Sequence, residues 1–184
     1  MSKIAIMMAD GCEEIEALTV VDLLRRAGYT ADMIAAGEEK TVTGSHGIAF
    51  AADLLFGEAD QSSYDGVVLP GGMPGTTNLK AHEGLMKWVK DFADTGKLVA
   101  AICAAPALIF GDLGFVDGYE ATCYPGMEEH LKGAHVRTDL PAVLDRNRIT
   151  SRGLGTAVSF ALEIVRYFSG DEKAEELKKS VVAD

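Results

Sequence analysis

Positive charge is in short supply: 17 Lys and Arg stand against 28 Asp and Glu in 184 residues, a formal net charge of −11. That balance argues against a general affinity for nucleic acid or for an anionic membrane surface. Long apolar runs are missing too. The longest, over 98–110, is too short to cross a bilayer and contains Pro106. The apolar residues 4–9 behind Lys3 do not read as a secretory signal, because they are few and Asp10, Glu13 and Glu14 follow directly. Cysteine is scarce, and Cys12, Cys103 and Cys123 cannot all pair and show no zinc-ligand spacing. A disulfide framework is therefore not expected, and a reducing cytoplasm is the simplest setting. His46, His82, His130 and His135 form no ligand pattern and read as surface or hairpin residues. Neither a metal nor a cofactor is expected. With no linker, internal repeat or low-complexity segment, residues 1–184 read as one domain large enough for a substantial core.

What is present is a regular alternation of strand and helix signals. Strands are expected over 3–9, 30–36, 65–69 and 98–102, each short and apolar. Helices are expected over 13–27, ended by Gly28, over 79–95, ended by Gly96, and over 155–168, with a last one capped by Asp171 and running to 179. Residues 41–43 and 48–52 predict a small hairpin around Gly44-Ser45-His46-Gly47. Shorter strands are expected at 119–123, 135–139, 142–145 and 149–151, with a short helix over 127–131. This alternation predicts an α/β domain: a doubly wound parallel sheet with helices on both faces. In such sheets chemistry gathers beyond the carboxyl ends of the strands.

Four loops fall on that edge: 10–16, 70–75, 103–106 and 123–126. In the third, an apolar strand stops at Cys103 and small residues lead to Pro106, which suits a first helical turn. Backbone N–H groups and a helix dipole converge at such a junction and favour thiolate over thiol. A buried structural cysteine fits the same features, and this stretch alone leaves both readings open. Glu16, in the first turn of its helix, is placed to reach the sulfur. Two anions in contact repel, so the stable arrangement shares a proton, with neutral Glu16 donating to a thiolate. A favourable charge at a helix N-terminus is the competing role, although Glu13 and Glu14 already fill it. The Gly-rich 70–75 turn exposes backbone N–H groups that, with that of Ala104, suit an oxyanion hole; a plain turn suits it equally. Gly153-Leu154-Gly155-Thr156 is too short for a phosphate loop and lacks its lysine. Arg152 is a pocket candidate in competition with a surface ion pair. Cys12 and Cys123 also fall at strand ends on this edge, and neither is expected to act as a resolving thiol for Cys103.

The segments GCEEIEA, VVLPGGMPG, AAICAAPA and ITSRGLGTA, in this order and spacing, resemble the ThiJ/PfpI superfamily, closest to the branch of the Parkinson-associated protein deglycase. The resemblance covers essentially the whole chain. It implies a flavodoxin-like fold related to class I glutamine amidotransferases, and a homodimer. It implies Cys103 as the reactive cysteine, Glu16 as its protonated partner, and Gly72 and Ala104 as backbone donors; Gly71, Tyr124 and Pro125, on the same edge loops, are pocket candidates beside them. Two departures bear on activity. The residue after Cys103 is Ala104 and the one before Pro125 is Tyr124, where parts of the superfamily carry histidine. No imidazole base remains, so a Cys-His peptidase is not expected and Glu16 is the only candidate general base. A third is His46, at a hairpin position where relatives in this branch often carry arginine.

The function implied is turnover of reactive dicarbonyls or glycated adducts, of glyoxalase or deglycase type, needing only water. The alternative is a redox-sensing stress protein or chaperone whose oxidisable Cys103 turns nothing over. Both use the same acidic cysteine. Partners are then a small aldehyde, dicarbonyl or glycated substrate and a second copy of the chain, with no nucleic acid and no membrane.

Overall fold

The computed structural model describes residues 1–183. Strand β1 (Lys3–Met8) enters the centre of the molecule and hands over to α1 (Glu14–Arg26), after which β2 (Thr30–Ala35) returns beside it. A small antiparallel hairpin, β3 (Thr41–Thr43) and β4 (Ala49–Ala51), precedes the edge strand β5 (Leu54–Leu55). Then come β6 (Gly66–Leu69), α2 (Gly75–Ala81), α3 (Glu83–Asp94) and β7 (Leu98–Ile102). Beyond a wide-wound helical segment, Pro106–Gly111, lie β8 (Glu120–Ala121) and β9 (His135–Val136), a parallel pair outside the main sheet. The chain finishes with β10 (Ala142–Asp145), β11 (Arg148–Ser151) and α4 (Ala157–Ser180).

The main sheet has seven strands in the order β10-β11-β7-β6-β1-β2-β5, all parallel except β10. This is the doubly wound, flavodoxin-like arrangement. Its central strands are apolar throughout because both faces are covered. On β1, Ile4, Ile6 and Met8 face one core with Val20, Leu24, Phe160 and Ile164, whereas Ala5 and Met7 face the other with Leu85, Trp88, Phe92 and Phe110. Fully burying each large side chain contributes about 1.5–3 kcal/mol. Two layers packed this way hold β1, β6, β7 and β11 in register and bring their carboxyl ends to one edge.

Three local expectations change. The helix expected over 79–95 is two helices, broken at His82, whose backbone is extended and whose Nδ1 accepts the Leu85 N–H at 3.0 Å. An imidazole used as a helix cap leaves no periodic signature. The two C-terminal helices run together as α4, with Gly170 at φ +81° marking a kink, and the Asp171 carboxylate accepts from Arg166 Nε at 2.6 Å. The short helix over 127–131 is a single 3₁₀ turn, Glu128–His130. Among the described residues no helix is long and apolar enough to cross a membrane.

Candidate active site

Strand β7 ends at Ile102, and the next residue turns with φ +67°, a left-handed conformation that costs a non-glycine residue about 1–3 kcal/mol. That residue is Cys103. Its N–H donates to the Ser151 carbonyl at 3.0 Å and its carbonyl accepts from the Tyr124 N–H at 2.8 Å. The ends of β11 and of the 122–126 loop therefore pin the strained residue from both sides. The alanines that follow allow the backbone to turn at once into the helical segment, so the half-buried thiol stands at the sheet edge.

Glu16 arrives from α1 and is 1% exposed. Its Oε2 accepts the Gly71 N–H at 2.9 Å, and its carboxyl shares a hydrogen bond with the Cys103 side chain. The N–H groups of Gly72 and Ala104 also point at the sulfur. Glycine at 71 is a requirement of space: a Cβ there would stand 2.5 Å from Cys103 Cβ and 2.6 Å from Glu16 Oε2. Gly72, at φ +86°, turns the chain against the start of α1, where a Cβ would meet the Glu13 nitrogen at 2.3 Å.

Burial pushes the Glu16 carboxyl up to about 7, against the pull of its bonds to Cys103 and Gly71. Burial and the charge of an ionised Glu16 push the Cys103 thiol up to about 12, while the Gly72 and Ala104 N–H groups pull it down. An acidic thiol is thus incompatible with an ionised Glu16 beside it. Protonating Glu16 removes the repulsion and turns an acceptor into a donor. The sulfur then has three donors, each worth about 1.5–3 kcal/mol to an anion. Glu16 Oε2 accepts one backbone donor, and the carboxyl is the more deeply buried of the two groups. An ionised Glu16 would itself have two donors, the Gly71 N–H and the thiol, so the donors favour charge on sulfur by about one bond, roughly 1.5–3 kcal/mol. The deeper burial of Glu16 adds to that against the roughly 6 kcal/mol by which a free carboxyl is the stronger acid.

Of the other expected residues, Tyr124 lies beside the thiol with its side chain half exposed, and Pro125 next to it is exposed. Arg152 is half-buried and makes no ion pair among the described residues, unlike Arg146 and Arg166; its charge is felt at Cys123. Cys12 and Cys123 are buried free thiols raised by desolvation, to about 11 and about 12. Two residues at this edge escaped sequence reasoning. Gly153 approaches the sulfur: a Cβ built on it would lie 4.0 Å from Sγ. Its signal was the Gly-Leu-Gly-Thr run, weighed only as a phosphate loop. Glu14 is buried and clamps the β3–β4 turn, accepting from the N–H groups of His46 at 2.8 Å and Ile48 at 3.4 Å. Burial raises its pKa, but these donors and His46 outweigh it and bring the carboxyl down to about 2.

A model described as the DJ-1/PfpI family matches residues 2–167. The chain is 39% identical over 181 residues to protein DJ-1 homolog B of Arabidopsis thaliana, covering 98% of this chain and 41% of that protein. It therefore spans less than half the length of that relative. It is 29% identical over 165 residues to a deglycase of Pyrococcus abyssi, covering 89% of this chain and 98% of the relative. Among solved structures, oxidized Toxoplasma gondii DJ-1 superposes with a TM-score of 0.94 at 30% identity, covering 100% of this chain and 99% of that one.

Proposed function

The chain belongs to the DJ-1/PfpI family, and from that premise we propose that it is a cofactor-independent enzyme of glyoxalase or deglycase type. Its reactive group is Cys103 and its acid–base group Glu16. The carrying observation is the buried carboxyl, raised to about 7, bonded to a thiol that also faces two backbone N–H groups. The deglycase name of the Pyrococcus abyssi relative supports the same reading.

In the resting pair one proton is shared, with the negative charge on sulfur and the proton on Glu16. The sulfur adds to the aldehyde carbon of a 2-oxoaldehyde, forming an S–C bond while the carbonyl electron pair becomes an alkoxide. Glu16 protonates that oxygen and becomes a carboxylate. It then takes the hydrogen on the former aldehyde carbon as a proton and returns it to the neighbouring carbonyl carbon, while the hydroxyl proton passes through the same carboxyl to the oxygen on that neighbouring carbon, leaving a thioester. Water cleaves the thioester to a 2-hydroxy acid and restores the thiol. The sum is dicarbonyl plus water, with no external oxidant or reductant. A pKa near 7 lets one carboxyl serve as acid and base in turn.

Incubating the protein with methylglyoxal is expected to give lactate at a rate proportional to enzyme. The oxidized state of the Toxoplasma gondii structure favours a second reading, a redox-responsive protein. If peroxide oxidises Cys103 in peptide mass spectrometry while no lactate forms, the second reading replaces the first.

The proposal includes a homodimer in a reducing compartment. Support comes from exposed Ile15 and Val158 on α1 and α4, beside a groove lined by Leu18, Leu23 and Val182. Sedimentation at micromolar concentration is expected to give twice the 19.5 kDa chain mass; a monomer removes this part alone.

A further inference from the structure

Gly153 is buried, with φ 161°, an extended conformation open to any residue. A Cβ at Gly153 would sit 3.5 Å from Tyr124 Cδ2, 3.8 Å from Tyr124 Cε2 and 4.0 Å from Cys103 Sγ. These are ordinary van der Waals separations. The missing side chain therefore leaves the backbone of residue 153 bare between the nucleophilic sulfur and an aromatic ring, where an alanine methyl would reach both. The Tyr124 backbone is tied to the residue that carries the sulfur, its N–H donating to the carbonyl of Cys103 at 2.8 Å. Beyond that contact the ring opens to solvent, its residue 50% exposed. Met73, next to the donor Gly72, and Leu154, next to Gly153, are exposed at 53% and 49%. Large apolar side chains at that exposure serve no core, and these two adjoin the residues that face the thiol.

Once sulfur has bonded to the aldehyde carbon, the group on the neighbouring carbonyl carbon must lie a few ångströms from Sγ. We propose that Gly153 and Tyr124 form the subsite for that group, selecting 2-oxoaldehydes with an apolar or aromatic substituent over glyoxal, which has none. The proposal rests on the dicarbonyl reading of Cys103. A methyl group packs against the bare backbone of Gly153, which an alanine side chain would cover. A phenyl group extends from it along the Tyr124 ring, where aromatic pairs gain beyond simple burial. In an apolar pocket each such group changes discrimination by about 10–200-fold.

The test compares kcat/KM for glyoxal, methylglyoxal and phenylglyoxal in wild type, Gly153→Ala, Tyr124→Ala and Tyr124→Phe. The alanine at 153 meets no clash and no backbone strain, so its fold is retained, which circular dichroism checks. Gly153→Ala is expected to lower the methylglyoxal-to-glyoxal ratio about tenfold, since the added methyl takes the substituent's place. Tyr124→Ala is expected to lower the phenylglyoxal-to-glyoxal ratio about tenfold. Tyr124→Phe is expected to keep the wild-type ratio, because the ring and not the hydroxyl is used. The same variants are alkylated with phenacyl bromide and with bromoacetone, reading Cys103 by mass spectrometry. Phenacyl bromide is expected to lose its relative advantage in Tyr124→Ala. Should wild type turn over no dicarbonyl, the enzymatic reading fails while the alkylation ratios still decide the subsite. Ratios unchanged in both alanine variants overturn it.

Discussion

Replacing Cys103 by serine is expected to lower methylglyoxal turnover by about 10³-fold or more while leaving the fold intact. Serine keeps the shape of the side chain and can occupy the same φ +67° turn, still held by the bonds to Ser151 and Tyr124. What it loses is an ionisable group within reach of Glu16: a carboxyl raised to about 7 exchanges a proton with a thiol far more readily than with an alcohol. Unfolding of this variant also reports the shared proton. Glu16 alone, raised from 4.5 to about 7, binds its proton in the folded chain after the unfolded chain has released it. Stability from that neutral carboxyl is fully present below 4.5 and is lost as pH rises through about 7, by up to about 1.4 kcal/mol per pH unit. With the charge on Cys103 as proposed, the folded wild type holds one proton on the pair, as the unfolded chain does in this window, and the pair leaves stability flat. Relative to wild type, Cys103→Ser is therefore expected to lose stability between pH 5 and pH 7 in denaturant titrations. Parallel pH profiles would mean that the folded wild type keeps its Cys103 thiol protonated.

The second large effect belongs to Glu16. Glu16→Gln keeps an N–H donor for the sulfur and an oxygen for the Gly71 N–H, but it can neither give nor take a proton. Turnover is expected to fall by about 10²–10⁴-fold, the usual range for a lost acid–base group, while the thiol stays acidic and reacts readily with iodoacetamide. Glu16→Leu removes donor and acid together and leaves the Gly71 N–H without its partner. It should lose turnover, slow alkylation at neutral pH and lower stability by about 1–3 kcal/mol. The contrast between the two variants separates a positioning role from an acid–base role. Turnover in Glu16→Gln within threefold of wild type would show that Glu16 only positions the sulfur.

The strand–helix alternation and the carboxyl-edge location that brings Glu16 near Cys103 were legible because each follows from local signals combined by topology. An apolar strand ending at a small-residue turn leaves Cys103 open between a reactive and a structural role, and the resemblance to the superfamily points to the reactive one. A carboxylate beyond those needed at a helix start marks Glu16. The proton balance was only half legible. The helix-dipole argument sees what is near Cys103 in sequence, whereas the burial that raises Glu16 depends on the packing of α1 under the 70–72 turn, 55 residues away. Gly153 went unnoticed because a glycine's meaning here is the side chain it lacks, visible only once Tyr124 and Cys103 stand around it. The break at His82 was hidden because an imidazole used as a cap resembles any other polar residue in the helical pattern.

The central claim is that Glu16 holds the proton and Cys103 the charge. Ultraviolet absorbance of the thiolate against pH tests it most directly, recorded with Cys12 and Cys123 replaced by alanine so that only Cys103 titrates. The account predicts thiolate already present at neutral pH with Glu16 in place, and a thiol pKa about one to two units higher in Glu16→Leu. A lower pKa in Glu16→Leu would mean that an ionised Glu16 had been holding the thiol protonated, and would contradict the claim.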